Sequence, residues 1–319
     1  MRVCLMIEGQ EDVTWEQWLA LAGACEEHGL EALFRSDHYE SVMGMRERGS
    51  LDAWTTLAAL AARTSRIRLG TLVSPATFRH PSVLAKSVAT VDHVSGGRVE
   101  LGLGAGWHEG EHRAYGFEFP PTQVRMERLA EQLEIVTRSW TEDAFSFQGR
   151  HYQVQDLRAL PKPVQRPHPT LLVGGGAGPK SLALAARFAN EYNTTGVPLD
   201  ELGERRGRLE DAWREAGRDP EEAQLSLMTT CVVGRDRAEV TERVGRVLAV
   251  TGRDGSVSVA EVVDARPNWL LGTVDQVAER LRALEAAGVD RVMCQHLDHA
   301  DTDMVAVLGE VAATMGSAP

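Results

Sequence analysis

Basic residues are in short supply: 34 Lys and Arg stand against 46 Asp and Glu, a net charge of −12. Binding a nucleic-acid backbone requires clustered cations, so no nucleic-acid partner is expected. Cysteine is scarce too. The four, Cys4, Cys25, Cys231 and Cys294, form no C-x-x-C pair, which excludes a disulfide framework or a zinc ribbon and leaves buried free thiols. No apolar run reaches the roughly 20 residues of a membrane span. The opening MRVCLMIEGQ is interrupted by Glu8 before it builds the apolar stretch of a signal peptide. The expectation is a cytoplasmic protein with no membrane partner, acting on small molecules. Two nucleotide-loop spacings are also missing. The glycines of residues 174–180, GGGAGPK, match neither G-x-x-x-x-G-K-[ST] nor G-x-G-x-x-G.

What the chain does have is a regular alternation of short β-rich runs and longer helical patterns over its 319 residues. Residues 3–7 (VCLMI) read as a strand, and Thr14 with Gln17 has the form of a capping box before an amphipathic helix that stops at Gly29. Residues 32–34 give a short strand, 51–64 a helix, 67–73 (IRLGTLV) a strand, and 81–95 a helix opened by Pro81. Further strands are read at 99–103, 170–173, 191–194, 225–233 and 291–295, each separated from the next by a helix. A helix at 122–140 precedes an insertion of about 141–168, in which residues 145–152 alternate around Gln148-Gly149 as a hairpin does.

About eight strands, each followed by a helix and with no compositional break, predict one domain over 1–319 built as a (β/α)8 TIM barrel with insertions. An open doubly wound sheet shares the same alternation. In both folds ligands sit at the carboxyl ends of the strands, which directs attention to four segments: residues 36–39 (SDHY), 73–75 (VSP), 104–107 (GAGW) and 174–180.

Each segment suggests a chemistry. Consecutive glycines between a strand and a helix let backbone N–H groups approach an anion beside the helix N-terminus, so 174–180 reads as a phosphate cradle. His38 beside Asp37 places an imidazole and a carboxylate at the mouth, able to hold a proton near neutral pH. Residues 104–112, GAGWHEGEH, contain H-E-x-x-H, whose spacing on a helix sets His108 and His112 to bind zinc beside Glu109, with Glu131 or Glu134 as a third ligand. Gly110 within the motif and Gly104 and Gly106 before it disfavour the long helix such a centre needs. Residues 107–115 fit better as a turn or short helix lining a pocket.

Four stretches together, FRSDHY, RIRLGTLVSPATFRHPSVLAKSVATVDHVSGGRVELGLGAGW, LPKPVQRPHPTLLVGGGAGPKSLALAARFANEYN and LGTVDQVAERLRALEAAGVDRVM, resemble the luciferase-like monooxygenase superfamily and, within it, the oxidoreductases that use coenzyme F420. The resemblance implies an F420-dependent oxidoreductase, with an FMN-dependent monooxygenase as the alternative and a zinc hydrolase as the weaker one. It implies that Asp37 and His38 lie beside the cofactor ring, with Asp37 orienting His38. It also implies a non-proline cis peptide at Val73-Ser74 under the ring, and Gly104, Ala105, Gly106 and Trp107 flanking it. Gly174, Gly175, Gly176, Ala177, Gly178, Pro179 and Lys180 would hold the phosphate, and the protein would form a homodimer. Trp107 stands where sugar-phosphate dehydrogenases of the group carry an acid, which counts against a sugar-phosphate substrate. Glu109 or His112 then becomes a further candidate proton donor. The loops at 40–49 and about 251–268, which wall the pocket, carry no readable motif.

Overall fold

In the first strand, β1 (Arg2–Ile7), Cys4 and Met6 face one way and Val3, Leu5 and Ile7 the other, the period of two that a strand imposes. In the computed structural model, which describes residues 1–253, 255 and 257–316, the first set lies inside a barrel and the second packs against helices. The remaining strands are β2 (Ala32–Arg35), β3 (Arg68–Thr71), β4 (Ser74–Pro75), β5 (Val99–Gly104), β6 (Phe145–Gln148), β7 (Gln153–Leu157), β8 (Thr170–Gly174), β9 (Glu191–Thr195), β10 (Gln224–Gly234), β11 (Leu270–Thr273) and β12 (Arg291–His296). The order β1-β2-β3-β5-β8-β9-β10-β12 closes on β1, with every neighbouring pair parallel. This is a closed eight-stranded barrel, which decides against the open sheet.

Helices α1 (Trp15–Glu27), α2 (Ala53–Ala61), α3 (Pro81–Ser95), α4 (Glu109–Tyr115), α5 (Thr122–Thr141), α6 (Pro179–Phe188), α7 (Leu199–Glu215), α8 (Arg237–Val250), α9 (Val259–Ala265), α10 (Val274–Ala286) and α11 (Thr302–Thr314) fill the connections. Helix α1 starts at the expected capping box: Thr14 Oγ1 accepts from Gln17 N at 3.2 Å, and Gln17 Oε1 from Thr14 N at 2.9 Å. The hairpin expected in the insertion is present as antiparallel β6 and β7.

Two strand readings change. The run 67–73 is not strand throughout: β3 ends at Thr71, a cis peptide follows at Leu72-Val73, and pairing resumes in β4 at Ser74. The unread β11 pairs only with residues 231–234, the outer half of β10, while the inner half closes the barrel against β9 and β12. The loop expected at 251–268 contains α9, and its positions 254 and 256 lie outside the described residues.

The lumen is filled in layers. At the amino end Arg291 on β12 donates to both carboxylate oxygens of Glu100 on β5, at 3.1 and 2.8 Å, and lies 2.7 Å from Glu191 on β9. Strands β5 and β12 are not neighbours, so this contact crosses the barrel. All three side chains are buried, and two carboxylates around one guanidinium satisfy charges that would be costly alone. Arginine charge holds Glu100 down to about 2 against the upward pull of burial. Above this layer Phe34, Met6, Met293 and Leu172 pack together, and Phe34 fits because position 70 is glycine: a Cβ there would come within 2.6 Å of its ring. Beyond them the lumen opens.

Candidate active site

At the carboxyl ends of the strands lies a cavity of about 430 Å³. Its apolar side is Leu72, Val73, Pro75 and Met228, and its polar side is Glu8, Ser36, His38, Asn193 and Thr195. Gly104, Ala105, Gly106 and Trp107 from the end of β5, and Gly174 and Gly175 from the end of β8, complete it. Val73 shapes the floor, its methyls sitting in the clearing left by three glycines. A Cβ on Gly102, Gly104 or Gly174 would meet a Val73 methyl at 2.9, 2.8 or 3.0 Å. The cis peptide thus falls at Leu72-Val73, one bond before the expected Val73-Ser74. Ser74 itself lies in β4, paired with Leu103 of β5.

His38 is held by a carboxylate, but not by Asp37. Its Nδ1 donates to Glu111 Oε2 at 2.8 Å, and Glu111, completely buried, also accepts from the amide of Tyr39 and, at 3.3 Å, from that of Glu40. Fixing Nδ1 as the donor leaves Nε2 as the nitrogen without a protein partner among the described residues. Burial opposes charge on His38, yet the Glu111 hydrogen bond and the Glu111, Glu8 and Asp37 charges outweigh it, so the imidazole titrates above its ordinary value. Burial likewise raises Glu111, but His38 and the two amides hold it below the usual carboxylate range. Both directions describe one ion pair.

Asp37, expected to orient His38 and lie beside a ring, is turned away from the cavity. Consecutive residues at a strand end point to opposite sides. Asp37 is clamped by Arg79, whose Nη1 and Nη2 donate to its two oxygens at 2.6 and 3.1 Å, and by the Ser74 hydroxyl at 2.6 Å. Ser74 also accepts from Trp54 Nε1 at 3.1 Å. Asp37 and Ser74 therefore brace the wall from behind, and only Val73 of the 73–75 segment's first two residues reaches the cavity.

The zinc reading fails on the same geometry. Helix α4 does form over residues 109–115, but His112 has both nitrogens engaged: Nδ1 donates to the His108 carbonyl at 2.7 Å, so Nε2 accepts the Thr77 hydroxyl at 2.6 Å. His112 is 1% exposed and packs edge-on against Phe119. Neither it nor Glu109 lines the cavity. No cluster of three potential metal ligands occurs among the described residues.

The glycine loop is divided in its roles. Ala177 has φ +56° and gives its amide to the Tyr192 hydroxyl at 2.8 Å, and Gly175 gives its own to the Asn193 carbonyl at 3.1 Å. Tyr192 also bonds Ser181 Oγ at 2.9 Å, and a Cβ on Gly175 would collide with it at 2.7 Å. Ala177 is thus a structural tie, a change from the expected cradle. Gly176 and Gly178 are exposed beside the cavity rim, followed by the first turn of α6 with Pro179 and the exposed Lys180, where helix N–H groups have no intrahelical partner.

Glu8 was not singled out by the sequence, nor was Glu111. Glu8 takes hydrogen bonds from Gln10 Nε2 at 2.9 Å and Gln295 Nε2 at 2.6 Å, and those amides are fixed in turn by the Ser36 and Thr230 hydroxyls. Glu111 lies inside the quoted GAGWHEGEH, one residue before the second histidine.

A family model described as luciferase-like monooxygenase matches residues 3–291. The chain belongs to this family. It is 33% identical over 235 residues to an F420-dependent glucose-6-phosphate dehydrogenase of Microbacterium testaceum, covering 72% of this chain and 68% of that one. It is 28% identical over 300 residues to an FMNH(2)-dependent dimethylsulfone monooxygenase of Pseudomonas putida, covering 86% and 80%. The monooxygenase RslO1 from Streptomyces bottropensis superposes with a TM-score of 0.83 at 25% identity over 99% of this chain and all of its own. Members of the family are oxidoreductases that use F420 or FMN, so a flavin or deazaflavin suits this luciferase-like barrel. No helix of the described residues is long and apolar enough to cross a membrane.

Proposed function

We propose that the protein is an F420-dependent oxidoreductase that exchanges a hydride with a small organic substrate, an alcohol or its carbonyl counterpart. The observation that carries this reading is the buried His38–Glu111 pair at the cavity mouth. Exchange of a hydride with such a substrate also requires a proton to come or go at oxygen, and an imidazole positioned by a buried carboxylate serves that step.

The cavity has features that fit a planar heterocycle carrying a phosphate. Its floor is an apolar shelf of Leu72, Val73 and Met228, cleared by glycines where a Cβ would intrude, and the glycine loop and α6 N-terminus lie at its rim. When bound, coenzyme F420 supplies or accepts the hydride at C5. The chain's own residues do the rest. His38 Nε2 gives a proton to the substrate oxygen, or takes it, and Glu111 stabilises the charged imidazole. Val73 and Pro75 exclude water beside the reacting centre. Gly176, Gly178 and the first turn of α6 hold the phosphate with backbone N–H groups.

Titration of the purified protein with F420 and with FMN, followed by quenching of tryptophan emission, tests the reading. Trp107 at the rim is 61% exposed and well placed to report. Micromolar binding of F420 and weak binding of FMN is the expected result. Tight binding of FMN alone, with oxygen uptake when reduced flavin is supplied, would establish the FMN-dependent monooxygenase in its place.

A further inference from the structure

Beside the mouth lies a second hollow of about 500 Å³, between the loop that follows β2 and helix α4. Arg46, Arg48 and Arg113 line it, together with Glu40 and His108. Arg48 is committed: Nη1 donates to Glu11 Oε2 at 2.9 Å and Nη2 to the Val250 carbonyl at 2.6 Å, which anchors the loop. The guanidinium groups of Arg46 and Arg113 are exposed and have no hydrogen bond or ion pair among the described residues. His108 Nδ1, in the wall, is buried with no hydrogen-bond partner and lies 3.9 Å from Glu111 Oε2.

The charges can be summed. Glu11 offsets Arg48, Glu40 offsets one of the two free arginines, and the hollow is left with one excess positive charge in a chain of net charge −12. One excess charge suits a monoanion better than a dianionic phosphate. A planar guanidinium also matches a carboxylate through two parallel hydrogen bonds.

The hollow and the active-site cavity share a wall. Ser41 faces one and Val42 the other; His108 faces one and Trp107 the other. The rings of Trp107 and His108 stand 5.6 and 6.2 Å from that of His38. A molecule with one end at His38 and an arm among the arginines would have to pass over that wall. The glycine loop follows β8, three strands round the barrel from β2, so the two anion-favouring features sit apart.

We propose that this hollow binds a carboxylate arm of the substrate, making the substrate class a carboxylic acid that also carries a hydroxyl or carbonyl group. The second half of that statement rests on the function proposed above; the carboxylate site does not.

The test uses equilibrium binding to the full chain without cofactor, read by tryptophan emission and by calorimetry. The probes are benzoate and hexanoate, each against its neutral alcohol, with Arg46→Ala, Arg113→Ala and the double variant. Wild type is expected to prefer each acid over its alcohol by about tenfold, as for one charge-assisted pair, with the preference shrinking in added salt and vanishing in the double variant. Equal affinity for acids and alcohols, or a preference that survives the double variant, overturns the proposal. Both arginines are exposed, so an unchanged thermal midpoint checks that the variants fold. A parallel titration separates the other source of carboxylates. If the double variant weakens F420 but not the same deazaflavin lacking phosphate and acidic tail, the hollow serves the cofactor, and the substrate proposal falls. If F420 fails to bind while the acid preference stands, only the cofactor reading is lost.

Discussion

The charge of His38 depends chiefly on a partner 73 positions away, and that dependence can be measured. In Glu111→Gln the amide keeps the shape but removes the negative charge that offsets burial. The pH at half-maximal kcat/KM is then expected to move by about one pH unit toward acid, since one unit corresponds to about 1.4 kcal/mol of lost preference for the imidazolium. The direction is the same whether the imidazole donates or accepts the proton, because loss of Glu111 favours the neutral ring. An unmoved profile would remove His38 from the proton step. The sequence offered Asp37 for this role because it is adjacent in the chain. Adjacency at a strand end separates two side chains, and the true partner comes from a helix after β5, a relation no local pattern encodes.

Among the elements, the strands were the legible part. Most of the eight barrel strands carry the apolar residues that the parallel, doubly covered sheet requires, β9 (EYNTT) being a polar exception, and β1, β5, β9 and β12 were read to within a residue or two of their ends. Strand β11 was not read because it is four residues long, contains Gly272, and pairs on one side only. The break between β3 and β4 was also hidden, since no proline interrupts residues 67–73 and the interruption follows from what packs around Val73. The H-E-x-x-H match shows the converse: the helix exists, but its histidine serves as a strut between Thr77 and the α4 N-terminus. Gly102 tests the packing of this region. A Cβ there would lie 2.2 Å from the Thr71 carbonyl oxygen, which is backbone and cannot rotate away. Gly102→Ala is expected to destabilise the fold by about 2–3 kcal/mol, the upper part of the overpacking range, as read by urea unfolding. A loss below ~0.5 kcal/mol would mean that the floor of the cavity yields easily.

For the molecule as a whole, the buried histidines at the end of β12 set a pH limit. His296 donates Nε2 to the Asp301 carbonyl at 3.1 Å, while its Nδ1 and the Nε2 of His299 have no partner among the described residues. Burial, the leading cause in each, pushes them down to about 4 and about 3. Well above pH 6.5 both rings are neutral in the folded and unfolded chains, and neither alters stability. As the pH falls below 6.5 the unfolded chain takes up protons that the folded one refuses, so stability drops by about 2 kcal/mol per histidine between pH 7 and 5. His38 has the opposite sign, its contribution being present in acid and lost as the pH rises through its folded value. His299→Gln is expected to halve the acid slope in urea titrations at pH 7, 6 and 5; an unchanged slope would assign it elsewhere. Glu100, held near 2, adds its loss only below about pH 4.5, so the two windows separate.

The ionic layer of Arg291, Glu100 and Glu191 also governs traffic. A hollow of about 530 Å³ lies at the amino ends of the strands, around Arg2, Gln224 and Asp290, but the cross-lumen guanidinium and the Phe34 layer stand between it and His38. Among the described residues the barrel is thus closed to His38 from its amino end, so substrate and product share the carboxyl-end cavity, and product is expected to compete with substrate in steady-state kinetics.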